Sequence, residues 1–92
     1  MKKYILRYAE SVQKDLHALD RSVSRRIIQK LEKYIETPDP LVHAKALAGK
    51  LQGFYRYRVG DYRVIFEFTD NGVMAVLVVL KILHRKDIYR QQ

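Results

Sequence analysis

From Phe54 to Phe68 the chain reads FYRYRVGDYRVIFEF, with an aromatic or aliphatic residue at every second position on either side of Gly60-Asp61. A period of two cannot sit on a helix, so these residues must form two strands joined by a tight turn. A two-residue loop with glycine first suits a type II′ turn, which sets Val59 opposite Tyr62 and Arg58 opposite Arg63, with Arg56 two residues along. Tyr55, Tyr57, Val59, Tyr62, Val64, Phe66 and Phe68 then share the face that packs against helices, and the three arginines share the other. Like charges placed directly opposite on a sheet repel each other. A face built this way is expected to meet an anionic ligand.

The rest of the chain supplies what covers the apolar face. Lys3 to Tyr8 reads as a short opening strand, and a first helix follows from Glu10-Ser11 with Val12, Leu16 and Leu19 at helical spacing and Ser11 as its N-cap. Asp20-Arg21-Ser22 interrupts it. A second helix carries Val23, Ile27, Ile28, Leu31, Tyr34 and Ile35 on one stripe and Arg25, Arg26, Lys30 and Lys33 on a solvated face. Thr37-Pro38-Asp39-Pro40 ends the helical hairpin, because proline lacks a backbone donor and biases the residue before it towards extended conformations. Leu41 to Leu47 is expected to hold a short helical turn, and Gly49 to Gly53 leads into the arginine hairpin with Lys45 and Lys50 flanking it.

Asp70-Asn71-Gly72 marks a second reverse turn, so Val73 to Lys81 returns as a further strand. Its register is open. A two-residue loop sends Leu77 and Val79 to the helix face and Val76, Val78 and Leu80 to the arginine side, whereas a three-residue loop reverses those assignments and sets Lys81 beside the arginines. The fold class is α+β: an N-terminal strand and a two-helix hairpin packed on a mainly antiparallel sheet of about four strands, all in one domain over residues 1–92.

Ninety-two residues leave no room for a separate module, so function must sit on this fold. Eighteen Lys and Arg against ten Asp and Glu give a net charge of +8, which directs attention to nucleic acid, the ribosome or an acidic partner. Cysteine is absent, which excludes disulfides, thiolate metal sites and thiol nucleophiles and permits a cytoplasmic location. His17, His43 and His84 fit no metal-binding spacing, and no cofactor is expected. The longest apolar stretch, Val73 to Leu80, is too short to span a bilayer, and no membrane contact is expected.

After the last strand comes His84-Arg85-Lys86-Asp87-Ile88-Tyr89-Arg90, where basic groups and a ring sit close together. Arginine grips phosphate bidentately, and a tyrosine can stack on a splayed base. The order of strand, helical hairpin and meander, with L-x-G at Leu47 to Gly49, R-x-R-x-G-x-Y-R in the hairpin and H-R-x-x-I-Y behind the last strand, resembles the RelE/ParE superfamily of toxin-antitoxin toxins. The resemblance covers nearly the whole chain. RelE-like members enter the ribosomal A site and cut the messenger RNA codon there without a metal.

Carried onto this chain, the resemblance implies a ribosome-dependent endoribonuclease. Arg63 and Arg85 would stabilise the transition-state phosphate, Arg56 and Arg58 would bind RNA with Lys50, Lys81 and Lys86, and Tyr89 would stack on a base or help deprotonate the 2′-hydroxyl. The implied reaction is attack of that 2′-oxygen on its own phosphate. RelE members carry lysines where this chain has Arg56 and Arg58, and arginine is a poor proton shuttle. Histidine is the side chain whose ordinary charge change lies nearest neutral pH, and His84 is the substitute the sequence offers. The implied partners are an acidic RelB-like antitoxin that wraps the toxin, the ribosome with its messenger, and operator DNA only through the antitoxin complex. The competing readings are a ParE-like inhibitor that acts on DNA gyrase by protein contacts, and a catalytically inactive binder.

Overall fold

A computed structural model describes residues 2–86. Strand β1 (Lys3–Tyr8) is followed by helices α1 (Glu10–Ala18) and α2 (Arg21–Ile35), a short 3-10 turn at Pro40–His43, strand β2 (Lys45–Ala46), and a second such turn at Gly49–Leu51. Strands β3 (Phe54–Val59), β4 (Tyr62–Asp70) and β5 (Met74–His84) follow. They form one five-stranded sheet in the order β1-β5-β4-β3-β2. All pairings are antiparallel except β1 with β5, which run parallel because the two helices carry the chain across one face between them.

The sheet has one strand more than expected. Residues 41–47 do not form a single turn: the helical part stops at His43, and Lys45 and Ala46 pair with Arg56 and Tyr55. The outer edge of β3 would otherwise present unpaired backbone groups, and Leu47 extends the pairing by donating its N–H to the Phe54 carbonyl at 2.9 Å. The start of α1 is also displaced from expectation. Ala9, not Ser11, is the N-cap residue, since its carbonyl accepts from Val12 and Gln13 while its own N–H still bonds to Val79 of the sheet. The chain thus steps from strand to helix with no intervening loop, and Ser11 falls inside the first turn.

The core lies between the helices and one face of the sheet. Val12, Ile27 and Leu31 from the helices meet Tyr57, Val59, Val64, Phe66, Leu77 and Val79 from the strands, and among the described residues no polar or charged one is buried. The aromatic residues expected on this face do pack there. Tyr57, fully buried, stacks on Phe66 with ring centroids 4.5 Å apart, and its hydroxyl donates to the Pro40 carbonyl at 2.8 Å. Burying side chains of this kind is worth roughly 1.5–3 kcal/mol each, so the core face bears the stability while the opposite face is free to serve a ligand.

The register left open by the sequence has a two-part answer. Asp70 pairs with Ala75 across a turn closed by Asn71, whose carboxamide oxygen accepts from the N–H groups of Val73 and Met74. That parity puts Leu77 and Val79 in the core. Between Ile65 and Phe66 the ladder then shifts: Phe66 faces Val79 but Ile65 faces Lys81, leaving Leu80 as a bulge without a partner on β4. Beyond the bulge every side chain of β5 changes face. Lys81 and Leu83 join the arginine side, opposite Ile65 and Arg63, and Ile82 and His84 turn towards the helices.

Candidate functional site

The hairpin adopts the expected geometry. Gly60 has φ +59° and no residue other than glycine has positive φ among the described residues, the pattern of a type II′ rather than a type I′ turn. Val59 stands opposite Tyr62 and Arg58 opposite Arg63. In a ladder closed by a two-residue turn the Val59–Tyr62 pair exchanges backbone bonds, so Arg58 and Arg63 occupy the non-bonded position, where side chains approach most closely. The Arg85 N–H donates to the Asp61 carbonyl at 2.7 Å, which ties the residue after β5 to the same turn.

Arg58, Arg63 and Arg85 consequently line one hollow of about 220 Å³, together with Gly60, Asp61 and Tyr62. Arg56 lies in the next row across the sheet, where Lys45, Arg56, Ile65 and Lys81 stand side by side on β2 to β5. Among the described residues the one ion pair joins Lys2 to Asp70, and none engages these arginines. The Arg56 guanidinium is held below the usual arginine range, first by partial burial and then by the charges of Arg63 and Arg58. Uncompensated cations that push on one another form a standing potential for a polyanion. Half-buried Ile5, Ile65, Val76 and Val78 lie on the same face and give it an apolar flank.

Not every expected residue joins this cluster. His84 stands opposite Tyr62 on the helix face, its ring edge-on to Tyr62 at 5.0 Å and its Nδ1 accepting from the Lys86 N–H at 3.1 Å. It lines a different hollow, with Asp15 and Ala18 of α1 and Leu19 just after it. The bulge at Leu80 is the reason, since it exchanges the faces of all later residues. Lys50 lies in the exposed 3-10 turn before β3, Lys86 is exposed beside Arg85, and Tyr89 lies outside the described residues.

Two cations stand nearer the cluster than the sequence placed them. Lys45 reaches the arginine face through β2, a strand of two residues too short to leave a periodic signal. Arg26, on the face of α2 read as solvated, brings Nη1 to 3.1 Å from where a Cβ on Gly60 would stand, so a helix cation reaches the turn itself. No local pattern in the sequence could have reported that contact. Among the described residues no group of three or more His, Cys, Asp or Glu is arranged to hold a metal ion, and no helix is long and apolar enough to cross a membrane.

The chain is thus a small basic protein with a two-helix layer on one face of a five-stranded sheet and a cluster of cations on the other. A family model described as the ParE toxin of the type II toxin-antitoxin system parDE matches residues 6–89. The chain belongs to the RelE/ParE superfamily of type II toxin-antitoxin toxins. It is 28% identical over 88 residues to Toxin RelG of Mycobacterium tuberculosis, covering 96% of this chain and 98% of that protein. Its fold is similar to the toxin-antitoxin complex RelBE2 of the same organism, with a TM-score of 0.71, 24% identity, and coverage of 90% of this chain and 99% of the other. It is also similar to the archaeal RelE-RelB complex of Pyrococcus horikoshii, with a TM-score of 0.64, 25% identity, and coverage of 90% and 96%.

Proposed function

We propose that this toxin is a ribosome-dependent endoribonuclease that cuts messenger RNA by metal-independent transesterification. The observation that carries the reading is the convergence of Arg58, Arg63 and Arg85 on one hollow, none of them in an ion pair among the described residues. In the reaction the ribose 2′-oxygen attacks the adjacent phosphorus and the bond to the 5′-oxygen breaks, leaving a 2′,3′-cyclic phosphate and a 5′-hydroxyl. The pentacovalent transition state concentrates negative charge on the non-bridging oxygens. The hairpin and the backbone Arg85–Asp61 bond hold the three arginines' main chain beside one another, so their guanidinium groups converge on that charge. Arg63 and Arg85 serve this role, Arg58 and Arg56 hold the strand, and Tyr89 stacks on a base of the codon. Asp61 also lines the hollow, and in this proposal its carboxylate takes the 2′-hydroxyl proton in place of His84 while the departing 5′-oxygen takes a proton from water.

The partner implied is an antitoxin with an acidic, amphipathic segment laid over the cationic face and its apolar flank. Relatives crystallised as RelB-RelE complexes support this. Operator DNA would be reached only through that complex. A second reading rests on the ParE description of the matching family model, and assigns the cationic face to protein contacts with DNA gyrase.

The two readings separate on translating ribosomes programmed with a defined messenger, with RNA ends mapped by primer extension. The nuclease reading expects cleavage within the A-site codon, reduced about 10²- to 10³-fold by Arg63→Ala or Arg85→Ala, with Asp61→Asn lowering kcat and leaving KM in place. Intact messenger, under conditions where an active RelE cuts, would reject it in favour of gyrase.

A further inference from the structure

A second hollow of about 290 Å³ opens where β2 meets β3, lined by Val42, His43, Ala44, Lys45, Arg56 and Arg58. It shares Arg58 with the arginine hollow, and among the described residues no acidic one lines it. Its aromatic side is the outer end of a column of rings. Phe66 and Tyr57, both fully buried, stack at 4.5 Å; Tyr34 lies on Tyr57 at 4.5 Å and 34°; His43 lies on Tyr34 at 4.7 Å and 15°. One face of the imidazole is therefore occupied and the ring is held in place from the core outward. The His43 residue is nonetheless exposed, and Val42 beside it is 71% exposed.

An exposed ring fixed by stacking, an apolar neighbour and three cations within one hollow match the needs of a single nucleotide: a π-face for the base and charge for the phosphate. We propose that His43, Lys45 and Arg56 form a second nucleotide subsite, which takes the nucleotide next to the scissile one on the same single-stranded RNA. Its base extends the ring column on the free face of His43, and its phosphate lies against Lys45 and Arg56. Arg56 and Arg58 are two residues apart on β3, about 6.8 Å along the strand, a step comparable to that between successive phosphates of an extended chain. Arg58 bridges the two hollows. The inference rests on the nuclease reading for the identity of the strand.

The test is fluorescence anisotropy with a short labelled 2′-O-methyl RNA oligonucleotide, which cannot undergo transesterification. His43→Ala is expected to weaken binding about tenfold, and His43→Phe, which keeps the stack, to restore it. Lys45→Gln, a change on an exposed strand, is expected to lower the slope of log affinity against log salt by about 0.7. Affinity of His43→Ala equal to that of the native protein, failure of His43→Phe to restore binding, or an unchanged slope for Lys45→Gln would each overturn the subsite. The nuclease reading fails separately: a protein that binds as expected yet leaves ribosomal messenger intact keeps the subsite and loses the activity. A protein that cuts while its variants bind like the native one loses only the subsite.

Discussion

Replacing Arg58 with threonine should make the protein more stable and less active at once. Arg58 and Arg63 are direct cross-strand partners in the closely spaced position of the ladder, with Arg56 and Arg85 nearby. Two guanidinium groups about 6 Å apart repel by about 0.7 kcal/mol even at the dielectric constant of water. Arg58 is exposed, which caps the effect near that value, and threonine adds a β-branched side chain suited to a strand. The expected gain for Arg58→Thr is about 0.5–1 kcal/mol in low salt, a rise of about 2–8 °C in Tm. In about 1 M salt, where screening acts over about 3 Å, most of that gain should vanish. Thermal and urea melts at the two ionic strengths read the difference, and primer extension on programmed ribosomes reads the loss of cleavage. A variant that melts at or below the native temperature in low salt, or a gain indifferent to salt, would refute the claim that the arginines are held against their own repulsion.

Two further changes probe the face that opposes this strain. Tyr57→Phe keeps the ring column and removes the hydroxyl that donates to Pro40, so it should cost about 1 kcal/mol and lower Tm by about 4–8 °C; an unchanged urea midpoint would show the bond to be worth nothing. Tyr8 has a buried hydroxyl without a hydrogen-bond partner among the described residues, and burial, with a smaller push from Glu32, raises it from 10.0 to about 12. Tyr8→Phe should therefore stabilise the protein by about 1 kcal/mol near neutral pH. Because the folded state keeps the Tyr8 proton where the unfolded chain has begun to lose it, native stability should fall as pH rises from about 10 towards about 12. The decline should be shallower in Tyr8→Phe, and identical pH profiles for the two proteins would contradict it.

The hairpin was legible because its alternation has one solution: aromatic and aliphatic side chains on one face, arginines on the other, with a turn that admits glycine first. The return strand was not. Val76 to Leu80 is apolar at every position, so neither face is marked and the sequence carries no parity to read. A bulge at Leu80 then satisfied both candidate registers in different halves of β5, which brought Lys81 to the arginines and took His84 away. The places of His43 and Lys45 beside Arg56 and Arg58 in the second hollow were hidden for another reason. His43 and Lys45 owe their positions to packing against Tyr34 and to pairing with Arg56, contacts made across the fold rather than along the chain.

Among the described residues strand β1 pairs with β5 alone, so residues 3–8 must wait for residues 74–84. A nascent chain emerging from the ribosome can form the helices, and the β3–β4 hairpin once Asp70 has appeared, but it cannot close the sheet or present Arg85 to the hollow until translation has passed that residue. Pairings of such long sequence separation also form slowly. The cationic hollow is therefore a late product of folding, completed only after residue 85 has been made and β5 has taken its place beside β4.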